Sequence, residues 1–223
     1  MNFNDMTARH VGEIMMEAME GSDPSSFFKA VVNDKSNFKY FPEFFKMLDI
    51  PAGPESVHHP KGETVFDHSM IVLDNAVKET KDPVIRLAAA LHDMGKIATP
   101  ADNYPHHYAH DSLGVELVRK FCERLELDEE TNNICQQASA YHMKQYKKEV
   151  KWVRLGFKLK TERELESLKR VIKADSDNDL SGVLDLAFKV GHMTNEELGL
   201  DDPNEQQVEC AKIIMFKELL NNS

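Results

Sequence analysis

The chain has 223 residues, of which 41% are hydrophobic and 29% charged, with a formal net charge of -11 at pH 7. That acidity excludes a duplex or long-RNA binder, whose affinity comes from lysine and arginine on phosphates, and no apolar run approaches the ~20 residues of a membrane span. Met1-Asn2-Phe3-Asn4-Asp5 lacks the basic-then-apolar order of a signal peptide, and Cys122, Cys135 and Cys210 are odd in number and widely spaced, so the expectation is a cytoplasmic protein with reduced thiols.

Taken in chain order, the punctuation is that of helices. Asp23-Pro24, Asp82-Pro83 and Asp202-Pro203 each set a capping acid before a proline suited to a first helical turn. Met15-Met16-Glu17-Ala18-Met19 reads as adaptable core on an early helix. Gly53-Pro54 and Gly62 interrupt, and a half-buried helix then carries Val65, Met70, Val72 and Leu73 together with His68. Asp82-Pro83 leads into the small-residue helix through Leu87 and Leu91, which the stretch from Thr99 to Pro105 ends. His110 opens the next helix, Asp128-Glu129-Glu130 starts the one that leads to His142, and Thr161 with Glu164 forms a capping box ahead of Leu165, Leu168, Val171 and Ile172. Only around Val150 to Leu159, where Val153, Leu155, Phe157 and Leu159 alternate, is there room for a short hairpin. The expected architecture is an all-α bundle of about eight to ten helices. Residues 1–50 form a small N-terminal helical segment packed on the core, and 51–223 form the main domain.

His92-Asp93 carries the chemistry. With 10 histidines and 38 acidic residues the dipeptide alone means little, and a second one, His110-Asp111, occurs downstream. Its setting raises it: a helix of little bulk packs inside a bundle, and Lys96 follows within a turn, so an ion and a phosphate can meet at one helix end. His68, His110, His142 and Asp175 are further candidate ligands on neighbouring helices, with Asp177 and Asp179 as competitors for the last place. Imidazole and carboxylate together suit Mn, Ni, Fe, Co or Zn, and the carboxylates keep Mg open. An Asp93 that bridges histidines on either side allows one divalent ion or two.

Lys96 is expected to neutralise phosphoryl charge, and Asp67 or a histidine to shuttle the proton, the sequence not choosing between them. His106 and His107, after Pro105, face substrate or serve the structure, whereas His58 and His59 before Pro60 take a structural or rim role. The basic run from Lys144 through Lys147 to Lys160 reads first as a solvated loop between helices, with a clamp on a nucleotide or RNA end, and Tyr146 or Trp152 for stacking, as the functional alternative.

The order His68, His92-Asp93, Asp175 resembles the HD-domain metal-dependent phosphohydrolase superfamily, and the inserted His110 and His142 resemble its members that hold a second metal. A narrower resemblance runs from about Phe27 to Asp185. It passes through Phe41-Pro42-Glu43, Val57-His58-His59-Pro60, Leu91-His92-Asp93-Met94-Gly95-Lys96, Thr99-Pro100, Tyr104-Pro105-His106-His107-Tyr108-Ala109-His110 and Ala174-Asp175. This order is similar to the C-terminal HD region of bacterial multifunctional CCA-adding enzymes, the tRNA nucleotidyltransferases. The resemblance implies a helical HD bundle with one or two divalent ions. It also implies a phosphohydrolase of 2',3'-cyclic phosphates, 2'-nucleotides and simple phosphate esters.

There are two departures. Those enzymes place a nucleotidyltransferase head before this region, whereas here helical sequence follows Met1 almost at once, so hydrolysis and not nucleotide addition is expected. Met143 follows His142 where those enzymes tend to carry a second His-Asp pair, and an aspartate's contribution is lost there. A (deoxy)nucleotide 5'-phosphohydrolase and a non-catalytic nucleotide- or protein-binding module stand as alternatives. The setting fits a tRNA repair or processing accessory or a mobile-element protein, and the oligomeric state is not legible.

Overall fold

A computed structural model of the chain describes residues 2–56, 59–143, 149–176 and 179–221. Among these are eleven α-helices and three short 3-10 turns, and the only β feature is one antiparallel bridge between Pro51 and Thr64. The all-α expectation is met, with slightly more helices than the punctuation suggested because short ones such as Pro42–Met47 announce themselves weakly. No helix among the described residues is long and apolar enough to cross a membrane.

The helices form where caps and apolar periodicity coincide. Helix α1 (Ala8–Glu20) starts on Thr7, whose hydroxyl accepts from the His10 amide, and buries Val11, Met15 and Met19 at the spacing of one helical stripe. Short helices α2 (Ser25–Val32) and α3 (Pro42–Met47) add Phe27, Phe28, Phe41 and Phe44, with Phe28 stacked on Phe44 at 4.2 Å. Helix α4 (Val65–Glu79) starts on a capping box between Thr64 and Asp67. Helix α5 (Pro83–Leu91), capped by Asp82, is buried at every position from Val84 to Leu91. Helices α6 (His110–Arg124) and α7 (Glu129–Tyr141) close the main core around it, α7 on the Asp128 cap.

Buried apolar side chains from Phe3 to Ile50 share this core with α4 to α7. Arg86 fastens the two parts, donating from the middle of α5 to the carbonyls of Met19 and Gly21 at 2.7 and 2.8 Å. Glu43 and Arg124 add an ion pair between α3 and α6, 2.6 Å at its shortest.

A second core lies under α8 (Glu149–Lys158), α10 (Ser181–Gly191) and α11 (Glu205–Asn221). Helix α9 (Glu162–Ser176), on the Thr161–Glu164 box, serves both. Val171 and Ala174 enter the first core, and Leu165, Leu168 and Ile172 enter the second. The segment read as a hairpin is α8. Its buried residues Trp152, Val153, Leu155, Gly156 and Leu159 make a helical stripe, and the apparent alternation of Val153, Leu155 and Phe157 is a sampling of that stripe. Gly156 fixes the outcome: a Cβ there would lie 1.9 Å from the Ala187 carbonyl oxygen, so α8 and α10 touch backbone to backbone. Trp152 therefore belongs to the second core and offers no ring for stacking. Helix α11 starts on Asn204 and not at Asp202-Pro203, since Asn204 and Gln207 cap each other's amides.

Candidate metal centre

Helix α5 ends at Leu91, and the chain turns at His92 and Asp93 into the 3-10 turn Met94–Ala98. Both residues are buried, and Asp93 lines a cavity of about 460 Å³. The turn is pressed onto the start of α6, because a Cβ on Gly95 would sit 1.9 Å from the His110 carbonyl oxygen and 2.6 Å from the Gly114 amide. Glycine in the His-Asp-Met-Gly-Lys run is thus a contact residue that lets His92-Asp93 and His110 approach.

Asp93 stands at the centre. Its Oδ2 is 3.2 Å from His92 Nε2 and 3.6 Å from His68 Nε2, while Asp175 Oδ1 lies 3.1 Å from His68 Nε2 and 3.5 Å from His92 Nε2. The other oxygen, Oδ1, is 3.2 Å from His110 Nε2 and 3.4 Å from His142 Nε2. Four imidazoles and two carboxylates therefore form two subsites that share Asp93. His68, His92 and Asp175 lie on one side, His110 and His142 on the other.

The imidazoles are held by outer partners in the way metal-ligating imidazoles are. His92 Nδ1 donates to Ala89 O at 2.7 Å, His110 Nδ1 to His107 O at 2.6 Å, and His142 Nδ1 to Ser139 O at 3.0 Å. Each Nδ1 thus carries a hydrogen, and each Nε2 is turned toward Asp93. His110 Nε2 and His142 Nε2 face each other at 3.2 Å, two acceptors that a shared cation reconciles. His92 Nε2 is buried and, among the described residues, meets Asp93 and Asp175 without a hydrogen bond to either. This nitrogen and oxygen donor set, free of thiolate, fits a borderline divalent ion.

The electrostatics agree. Burial resists a charge on His92, but Asp93 and Asp175 outweigh it and push its pKa up to about 10, the mark of a pit that attracts cations. Burial likewise opposes ionisation of Asp93 and Asp175. Lys96 and His92 nevertheless hold Asp93 well below the usual carboxylate range, and His92 and His68 do the same for Asp175. Burial lowers the pKa of His142 and keeps it neutral, as a ligand must be.

Lys96 Nζ lies 2.6 Å from Asp93 Oδ2 and donates to Ala52 O at 2.7 Å, so it fixes the bridging carboxylate and also lines the cavity. His107 is buried between Thr99 Oγ1 and Pro51 O, 2.7 Å from each, and holds the loop after Pro105; His106 is exposed on the cavity wall. Asp67 is not at the centre. Its carboxylate is exposed and occupied by the Thr64 amide and hydroxyl at 3.1 and 2.7 Å, so the proton-shuttle reading of Asp67 is replaced by a capping role. Asp179 also lies apart, capping the Ser181 amide. Lys144, Tyr146, Lys147, His58 and Asp177 fall outside the described residues.

One group escaped the sequence reading. Glu63, with a side chain only 6% exposed, accepts from His59 Nδ1 at 2.8 Å and lies 3.8 Å from His68 Nδ1. His59 lines the cavity with its ring 4.7 Å from that of His68. Two signals were available: the Thr64-to-Asp67 spacing of a capping box spends Asp67, and Glu63 follows His59 by four.

Comparison with known proteins agrees with this geometry. The chain is similar to proteins named Multifunctional CCA protein. That of Methylococcus capsulatus is 32% identical over 126 residues, 56% of this chain and 29% of that protein. Those of Teredinibacter turnerae and Alkalilimnicola ehrlichii are 31% and 30% identical over 137 and 142 residues, or 61% and 64% of this chain and 33% and 34% of theirs. The chain spans about a third of the length of these curated relatives. A family model of the HD domain matches residues 65–177, just over half of the chain, and that stretch holds every residue of the two subsites. The chain therefore belongs to the HD domain family, a superfamily of metal-dependent phosphohydrolases.

Proposed function

We propose that the chain hydrolyses phosphoester bonds of a small nucleotide or an RNA end, with 2',3'-cyclic phosphates as the preferred class and 2'-nucleotides beside them. The observation that carries the reading is the bridged cluster at the floor of an open cavity. In a protein of net charge -11, Asp93 and Asp175 are the only carboxylates on that cavity's described wall, which otherwise presents histidines, Lys96 and small or apolar residues. A phosphate meets there a concave surface on which Lys96 and the histidines offset the acidity of the chain. The similarity to CCA proteins along this stretch favours the cyclic esters.

His68, His92, Asp93 and Asp175 would hold one divalent ion, and Asp93, His110 and His142 a second, which would supply Lewis acidity and a water of lowered pKa. The chain's own groups prepare the rest. Asp93 is kept ionised by Lys96 and His92, and the Nε2 atoms of His92, His110 and His142 are kept in register by backbone carbonyls. Lys96 has three N–H donors and spends two on Asp93 and Ala52, which leaves one for a phosphoryl oxygen at the cavity wall. His106 and the clamp residues Lys144 and Lys147 are the proposed outer contacts to substrate.

The test is a panel of 2',3'-cyclic, 2'-, 3'- and 5'-nucleotides offered to protein loaded in turn with Mn, Ni, Co, Fe, Zn or Mg. Metal-dependent opening of the cyclic esters is expected, with loss of both turnover and bound metal in Asp93→Asn. Cleavage of 5'-nucleotides with cyclic esters inert overturns this reading in favour of a 5'-phosphohydrolase. Tight nucleotide binding without product under every metal points instead to a non-catalytic module.

A further inference from the structure

Tyr108 is the most exposed large apolar side chain among the described residues, 69% open, and it lines the same cavity that has Asp93 at its floor. Its backbone is well fixed. One residue before it, His107 is clamped between Thr99 and Pro51. One residue after it, Ala109 takes a left-handed φ of 60°, and the His107 carbonyl accepts from both the amide and Nδ1 of His110. A ring held out in water by a pinned loop contributes no burial to the fold, which is how binding surfaces differ from cores.

His106 lies beside it, its imidazole plane 18° from the Tyr108 ring and the centroids 5.9 Å apart. The wall that continues from them is apolar, with Pro54, Pro105 and Met143. Tyr108 precedes the candidate ligand His110 by two positions, at most about 7 Å of chain. That span is comparable with the distance between base and phosphate in one nucleotide.

We infer that Tyr108, flanked by His106, is a nucleobase platform: a base stacks on its ring while the phosphoester reaches Asp93 and its histidines. The inference rests on the phosphoester reading of the cavity and deepens it by naming the residue that holds the base. Stacking uses the π face that every base has. The platform therefore separates nucleotides from aliphatic phosphoesters and tolerates a change of base.

The test compares wild type, Tyr108→Ala and Tyr108→Trp, all loaded with Mn, on 2',3'-cyclic AMP and on β-glycerophosphate. The expected result is that the ratio of kcat/KM for the cyclic nucleotide over that for β-glycerophosphate falls about tenfold or more in Tyr108→Ala, through KM, and is kept by Tyr108→Trp. An unchanged ratio in Tyr108→Ala overturns the platform while leaving the hydrolase reading intact. Calorimetric binding of AMP to the same metal-loaded proteins separates the two further. If neither ester is cleaved but AMP binding weakens tenfold in Tyr108→Ala, the platform stands and the hydrolase reading falls. Equal AMP binding by wild type and Tyr108→Ala overturns the platform.

Discussion

Glu63 shows how a single carboxylate can matter without touching a metal. It holds His59 by a 2.8 Å hydrogen bond and sets a buried negative charge 3.8 Å from Nδ1 of His68, the one ligand imidazole whose outer nitrogen does not meet a backbone carbonyl among its described bonds. Such outer partners fix ring orientation and basicity, and their loss typically costs about 10–100-fold in metal affinity. Glu63→Gln keeps the shape but removes the charge. The expected outcome is metal binding weakened by about tenfold in chelator competition, with the circular dichroism spectrum unchanged; wild-type affinity would remove Glu63 from the centre. The cluster of candidate ligands was legible residue by residue, because imidazole and carboxylate chemistry is written in residue type and in their order along the chain. The roles of Asp67 and Glu63 were not, since two acids on either side of a helix start differ only in which one the cap consumes.

At the scale of elements, the site depends on how closely the turn after α5 can lie on α6. Gly95 decides this, since the atoms its Cβ would meet are backbone atoms of His110 and Gly114 and cannot rotate away. Gly95→Ala is expected to destabilise the protein by about 1–3 kcal/mol, the usual cost of overpacking. It should also lift Asp93 away from His110 and His142, so that metal stoichiometry falls before the fold is lost. Gly182→Ala is the control: a Cβ there meets nothing within 4 Å on α10, and a gain of about 0.5–1 kcal/mol is expected in denaturant unfolding. Equal behaviour of the two variants would remove Gly95 from the account. The same kind of contact explains the misread segment at 150–159. Caps such as Asp82, Asp128 and Thr161 are local and were legible, but the close crossing of Gly156 on α10 is a long-range fact that alternation of Val153, Leu155 and Phe157 cannot reveal.

At the scale of the whole molecule, the centre draws its ligands from α4, the end of α5, α6, the end of α7 and α9, spread from His68 to Asp175. Helix α9 is also the element shared by the two hydrophobic cores, so Asp175 connects the metal site to the packing of the C-terminal helices. In the unfolded chain these ligands are scattered over more than a hundred residues, and a bound ion therefore stabilises the native state almost exclusively. At a free metal concentration about 100 times Kd the gain is about 2.7 kcal/mol. For a chain of this size that converts to a rise in Tm of about 5–10 °C. Chelation should reverse the rise. Asp93→Asn, which removes the oxygen pair shared by both subsites, should show no metal-dependent shift at all. If the two cores are coupled through α9, the metal moves a single transition as a unit. A metal-sensitive step followed by a metal-insensitive one would instead show that α8, α10 and α11 unfold independently of the centre, and that the second core serves some purpose other than holding Asp175 in place.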